Sequence, residues 1–222
     1  MKYSTILFDL DGTLINTNEL ILASFEHTFD IHCPNKFTRD DVMPIMGEPL
    51  PDQMYFFDPN QAEEMVKTYR LFNETEHDRL VEEFPHVLYC LEKLYQNGIT
   101  MGVISNKRRA AVEQGLRRFG IDKWMKIIIC ADEAERNKPH PDMLLLAMDQ
   151  LHVTPSETLM VGDSRYDILA AERAEIDSVG VAWSLHVEDV KNHQPTYWIE
   201  DMREILKIIG LEEPNKSVTS DR

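Results

Sequence analysis

Cysteine is scarce in this chain of 222 residues. Cys33, Cys90 and Cys130 lie far apart and form no C-x-x-C pair, which argues against a disulfide framework and predicts reduced, mostly buried thiols. Basic residues are also in deficit: 23 Lys and Arg stand against 39 Asp and Glu, for a net charge of -16. That balance argues against non-specific binding to nucleic acid or to an anionic membrane, both of which need basic patches. It also means that an anionic substrate needs local cations to approach. No apolar run approaches membrane-spanning length. The chain passes from Met1 almost directly into a strand-like segment broken by Asp9, without the apolar stretch and small-residue cleavage site of a signal peptide. The expectation is a cytoplasmic protein. Internal repeats and low-complexity segments are absent too.

What is present is an ordinary globular composition, 43% hydrophobic and 28% charged, long enough for one large domain or a core with a smaller domain attached. Short apolar runs rich in β-branched residues, at 4–9, 100–105, 126–130, 158–163 and 178–183, read as buried strands. Helical patterns alternate with them at 85–97, 110–120, 141–151 and 167–174, with Gly120 placed as a helix stop. Alternating strands and helices with continuous apolar strands predict an α/β fold, a doubly wound parallel sheet covered on both faces.

Residues 16–81 break the alternation. Ile21, Phe25 and Phe29 form one helical stripe, with Glu19 three residues after Asn16 as a capping pair. A second helix is expected to open at Asp58 as N-cap, with Pro59 and Gln61 following, and to present Met65, Tyr69 and Phe72 on one face. This predicts a helical insertion at 16–81 between core segments 1–15 and 82–222. The polar tail at 211–222 is expected to fray.

In parallel sheets, ligands gather at the carboxyl ends of the strands, and Asp9, Ser105 and Asp163 all stand at such ends. Asp9 and Asp11, two positions apart, close an apolar run with Gly12-Thr13, a turn that can aim backbone N–H groups at an anion. Ser105-Asn106 adds a hydroxyl and an amide, Lys138 in "KPHP" a fixed positive charge, and "GDSRYD" adds Asp163 and Asp167. Buried carboxylates are costly unless neutralised. Several of them with one lysine suit a hard dication on oxygen ligands, Mg²⁺ by preference, beside a phosphoryl group.

"FDLDGTL", "VISNK", "KPHP" and "VGDSRYD", in that order, resemble the four motifs of the haloacid dehalogenase superfamily of phosphatases, over roughly residues 3–209. The resemblance implies a Rossmann-like core with an inserted helical cap. It also implies that Asp9 is the nucleophile, forming an aspartyl phosphate, and that Asp11 protonates the leaving group and then activates water. Mg²⁺ would be held by Asp9, the Asp11 backbone carbonyl and Asp163, with Asp167 in support. Ser105, Asn106 and Lys138 would bind the transferring phosphoryl group. Finer similarity, in "DDVMPIMGEPL", "EEMVKTYRLFN" and "GVAW", is to the bacterial pyrophosphatases of that superfamily associated with the phosphocarrier protein HPr. It implies a small phosphorylated substrate, inorganic pyrophosphate, with phosphoglycolate or another small phosphomonoester as the alternative and a sugar phosphomutase behind it. A dehalogenase is disfavoured by the acid at Asp11.

Lys67 and Arg70, one turn apart in the insertion, are candidate contacts for a second phosphate, against the simpler reading of an exposed helix face. "KRR" at 107–109 could attract an anion, and "YFF" at 55–57 could line the substrate side, although clustered aromatics more often pack a core. His140 reads as a surface residue. Glu175 stands where the family usually has glycine. If that position needs φ > 0, glutamate there costs about 1 kcal/mol.

Overall fold

A computed structural model describes residues 2–211; the predicted tail from 212 onward lies outside the described residues. The chain runs β1 (Thr5–Phe8), β2 (Ile15–Asn16), α1 (Asn18–His32), α2 (Arg39–Val42), α3 (Leu50–Phe57), α4 (Ala62–Leu80) and β3 (Glu82–Glu83). The core then resumes with α5 (Val87–Gln96), β4 (Thr100–Ser105), α6 (Arg109–Arg118), β5 (Ile127–Cys130) and α7 (Asp142–Leu151). It ends with β6 (Thr158–Gly162), α8 (Arg165–Arg173), β7 (Asp177–Val181), α9 (Val187–Asn192), β8 (Tyr197–Ile199) and α10 (Glu204–Ile208).

Six strands form one sheet in the order β5-β4-β1-β6-β7-β8, every pairing parallel. The apolar runs explain it: all four residues of β1 are buried, with Ile6 and Phe8 packed on one face and Leu7 on the other. A strand sandwiched in this way needs apolar side chains at every position. Helices α5, α6 and α10 cover the first face, and α7 and α8 the second. The five expected core strands are present. β8 was not expected, because three residues behind Gln194-Pro195 carry too little periodicity to read.

The insertion packs its own cluster. Phe25, Phe29, Met54, Phe57, Met65 and Tyr69 are buried together, and the Phe57 ring centroid lies 4.8 Å from those of Phe29 and Phe37. Where the chain leaves and re-enters the core, β2 and β3 pair antiparallel, Ile15 opposite Glu83. This two-residue ribbon has no sequence signature, since Glu82 and Glu83 are poor strand formers.

The expected helix starts shift. α1 begins at Asn18 with Thr17 as N-cap, while the Asn16 side chain accepts a hydrogen bond from the Asn18 N–H at 3.3 Å. Asp58 does not cap α4. Its carboxylate accepts from Asn60 N–H and Gln61 Nε2, closing a turn, and Gln61 is the N-cap. In both places a short polar side chain bonds its own local backbone more readily than it caps a helix. Met65 and Tyr69 are buried as expected, whereas Phe72 is half-buried, stacked on His27 at 4.5 Å.

Two helix ends show what a C-cap needs. After α6, Ile121 N–H bonds to Leu116 C=O and Gly120 N–H to Arg117 C=O, with Gly120 at φ +63°. After α8, Ile176 bonds to Ala171 and Glu175 to Glu172 in the same pattern, with Glu175 at φ +57°. Both are Schellman caps. The position after α8 therefore does require the left-handed conformation.

The three cysteines are free and buried. Burial pushes the Cys90 and Cys130 thiols up to about 12, which keeps them protonated at neutral pH.

Candidate active site

Asp9 follows β1, Ser105 ends β4 and Asp163 follows β6, and the sheet order makes these three strands neighbours. Parallel strands all end at the same edge, so their last side chains converge there. Between Asp9 and β2 the chain folds tightly: Leu14 and Ile15 N–H groups both bond to Leu10 C=O, and Gly12 N–H to Ile15 C=O. Gly12 has φ +78°, and a Cβ on it would lie 2.2 Å from Asp163 Oδ2. Only glycine leaves room for the Asp163 carboxylate.

Lys138, 3% exposed, is the hub. Its Nζ donates to Asp9 Oδ1 at 2.7 Å, Asp167 Oδ1 at 2.6 Å and Ile104 C=O at 2.8 Å, using all three protons of the ammonium. Burial alone would lower the lysine's affinity for its proton, but Asp167 and Asp9 reverse this and hold it above its ordinary value. Asp167, fully buried, has both oxygens engaged. Oδ2 accepts from Ser164 N–H at 3.0 Å and Ser164 Oγ at 2.6 Å, the capping box that starts α8. The S-x-x-D spacing of Ser164 and Asp167 carries that signal in the sequence.

Asp163 is the least neutralised of the group. Among the described residues its one side-chain hydrogen bond is a long 3.5 Å contact from Thr13 Oγ1, while Ser184 Oγ donates to its backbone carbonyl at 2.5 Å. Burial, then the charges of Asp9 and Asp167, raise its carboxyl well above the usual range. Burial likewise raises Asp9, Lys138 offsets it in part, Asp167 and Asp11 add to it, and the result is about 7. Carboxylate oxygens of Asp9, Asp163 and Asp167 all lie within 4.8 Å of one another. Three buried carboxylates against one lysine are short of positive charge, and an all-oxygen set is what a hard divalent cation binds. The residues present fit such an ion.

Asp11 sits at the edge of this cluster, with Oδ1 2.5 Å from Lys107 Nζ. Lys107 had been read only as part of a basic run; the strand-end position of β4 was the signal that aimed it inward. Ser105 Oγ accepts from Lys107 N–H at 3.2 Å and does not cap α6, whose N-cap is Arg108. Asn106 is placed differently from a free phosphate ligand. Its Oδ1 accepts from Lys138 N–H at 3.0 Å, while Nδ2 donates to Lys138 C=O at 2.9 Å and to Gly47 C=O at 3.0 Å. The amide thus staples the lysine loop and the insertion together.

Above the cluster lies a cavity of about 410 Å³. Asp9, Asp11, Asp163 and Lys138 line it on the core side, and Met46, Leu50 and Tyr69 of the insertion also line it. Glu48 accepts from Tyr166 Oη at 2.8 Å and Arg165 donates to Pro44 C=O at 3.3 Å, contacts between insertion and core that the sequence did not reveal. Of the two insertion cations proposed from sequence, Arg70 lines the cavity. Lys67 does not: it is exposed and paired with Glu64 at 2.6 Å. Residues three apart on a helix differ by about 60° in direction, enough to send one inward and one to solvent. Tyr55 and Phe56 also face solvent, and Phe57 packs in the insertion core. His140 is exposed, as expected.

The model of the haloacid dehalogenase-like hydrolase family matches residues 6–181. The chain is 42% identical over 212 residues to Pyrophosphatase PpaX of Anoxybacillus flavithermus, covering 95% of this chain and 99% of the relative. It is 44% identical over 211 residues to Pyrophosphatase PpaX of Oceanobacillus iheyensis, covering 95% and 98%. Among solved structures, a haloacid dehalogenase-like hydrolase from Bacteroides fragilis superposes with TM-score 0.85 at 28% identity, covering 92% of this chain and all of that one. A protein titled a predicted phosphoglycolate phosphatase, from Haemophilus somnus, superposes with TM-score 0.81 at 27% identity, covering 94% and 99%. No described helix is long and apolar enough to cross a membrane. Motif order, strand-end geometry and these matches agree, and the chain belongs to the haloacid dehalogenase-like hydrolase family.

Proposed function

We propose that this protein is a Mg²⁺-dependent phosphohydrolase that cleaves inorganic pyrophosphate to two phosphates, with residues 16–81 serving as a cap over the core. The observation that carries this reading is the buried set at the strand tips: Asp9 held by Lys138, beside an Asp163 that lacks a counter-charge. The names of the relatives at 42% and 44% identity support pyrophosphate as the substrate.

Asp11 enters the first step as the carboxylic acid: an oxygen of Asp9 attacks the phosphorus, the bond to the leaving oxygen breaks, and that oxygen takes the proton of Asp11. In the second, Asp11 accepts a proton from water, the water oxygen attacks the phosphorus, and the bond to Asp9 breaks, returning the carboxylate. Lys138 keeps positive charge beside the transferring group throughout, and Asn106 keeps Lys138 in place. Asp11 exchanges its contact with Lys107 for the leaving oxygen. Asp9, Asp163 and the Asp11 carbonyl would hold Mg²⁺, which supplies charge neutralisation at the phosphoryl oxygens. Asp167, with both oxygens already engaged, supports the site from behind.

The apolar walls of the cavity favour one second reading, a phosphomonoesterase for a small organic phosphate such as phosphoglycolate. Turnover of pyrophosphate, phosphoglycolate and sugar phosphates, with and without EDTA, separates the two. The expected result is highest kcat/KM on pyrophosphate and no turnover after chelation; preference for an organic ester would reject pyrophosphate. Asp9→Asn is expected to lower kcat by about 10³-fold or more while preserving the fold.

A further inference from the structure

Among the described residues, four lysine and arginine side chains line the cavity: Arg70, Lys107, Arg108 and Lys138. Two of them are already neutralised, Lys138 by Asp9 and Asp167 and Lys107 by Asp11. Neither Arg70 nor Arg108 makes a salt bridge or a side-chain hydrogen bond among the described residues. Arg118 and Arg173 also lack an acidic partner there, but Arg118 lies over the Phe119 ring and Arg173 donates to Pro139 C=O, and neither lines the cavity. The chain carries sixteen more acidic than basic residues, and the arginines at 39, 79, 109, 117, 136, 165 and 203 all have acidic partners.

The two arginines also come from opposite sides of the cavity. Arg70 stands on α4 of the insertion and is half-buried; Arg108 stands on the core, three residues beyond Ser105, and is exposed. They are close enough to feel each other: burial lowers the proton affinity of Arg70, and the charge of Arg108 lowers it further, against weaker opposition from Glu74 and Asp132. Glu74 and Asp132 also line the cavity, but neither forms an ion pair with Arg70 or Arg108 among the described residues, and the two like charges repel each other. An anion placed between them turns the repulsion into two attractions. A guanidinium presents a planar fork of donors that fits phosphate or carboxylate oxygens two at a time.

We propose that Arg70 and Arg108 are a two-sided clamp for the anionic tail of the substrate, the part released when Asp9 takes the phosphoryl group. The site therefore selects phosphorylated compounds with a second anionic group, and such a group draws the insertion onto the core. With pyrophosphate the tail is the second phosphate. The inference rests on the proposed reading only in placing phosphoryl transfer at Asp9.

The test measures kcat and KM for the native enzyme, Arg70→Ala, Arg108→Ala and the double variant on three probes. These are inorganic pyrophosphate, phosphoglycolate as a phosphocarboxylate, and p-nitrophenyl phosphate, which lacks a second anionic group. Each single variant is expected to lose kcat/KM at least about tenfold more on the anion-tailed probes than on the aryl ester, mainly through KM, with partial rescue by lysine. The double variant is expected to lose less than the product of the single losses, because an anion held from one side has already lost the clamp. Equal losses on all three probes, or none, overturn the clamp. Native enzyme active on phosphoglycolate but not on pyrophosphate overturns the pyrophosphatase reading and leaves the clamp to be judged on the phosphocarboxylate. Activity on the aryl ester alone overturns the clamp. Calorimetric binding of methylenediphosphonate decides without turnover: about tenfold weaker binding to Arg108→Ala supports the clamp, and unchanged binding overturns it.

Discussion

The strand tips of the core and the helices of the insertion treat charge in opposite ways. At the tips, Asp9, Lys138, Asp163 and Asp167 are buried, and the lysine binds two of the three carboxylates. In the insertion the cations stay near the surface: Arg39 bridges Glu19 and Glu26, Lys67 pairs with Glu64, and Arg70 alone of these reaches the cavity. The difference follows from the backbone. Parallel strands ending at one edge leave their last side chains nowhere to go but the shared crevice. A helix spreads its side chains around a full circle, so a difference of about 60° in direction sends one side chain to the cavity and another to solvent.

Removing a charge from each region sharpens the contrast. Lys138→Met leaves Asp9 and Asp167 buried without their partner, and breaking such a pair costs roughly 3–5 kcal/mol. Chemical denaturation is expected to show that loss together with loss of activity, whereas Lys67→Met is expected to shift neither the denaturation midpoint nor kcat/KM. Comparable losses from both substitutions would erase the distinction between the regions.

The next effect depends on the proton. Asp9 is raised from its ordinary 3.8 to about 7, so in metal-free protein its stabilising contribution is fully present below pH 3.8 and is lost as pH rises through about 7. A divalent cation replaces the missing proton. The rise in thermal midpoint on adding Mg²⁺ is therefore expected to be larger at about pH 8 than at about pH 5. An equal rise at both would show that the carboxylates at the tips are not where the ion acts.

The smallest prediction compares the two Schellman caps. Glu175→Gly is expected to stabilise the protein by about 1 kcal/mol, a gain of about 2–4 °C in thermal midpoint for a chain of this size. Gly120→Ala is expected to change stability in the opposite direction, because it imposes on α6 the strain that α8 already bears. Neither should alter kcat/KM.

Much of this was legible beforehand. The apolar runs at 4–9, 100–105 and 158–163 each stop at Asp9, Ser105 or Asp163, and that interruption of a buried strand by a polar residue marks both the sheet and the edge where the cluster forms. Glu175 drew notice through the family resemblance, which has glycine after that helix, and the structure supplied the positive φ that makes glutamate costly there. Lys138 could be named, since a lysine before Pro139 between two strand-end motifs has few other uses.

What escaped the sequence depends on which distant groups meet. That the Asn106 side-chain amide ties Lys138 and Gly47 together, residues 32 and 59 positions away in the chain, could not be read from the sequence. Lys107 was one of three adjacent cations until packing set it against Asp11, and Lys67 and Arg70 were equivalent until the rotation of α4 separated them. The sequence by itself determined the alternation of strands and helices and the placement of acids at strand ends, because burial and backbone period act on neighbours in the chain. Only the tertiary structure decided which long side chains pair off and which two arginines of the cavity wall are left without an acidic partner, because that choice is made by distance and solvent access between segments the chain brings together last.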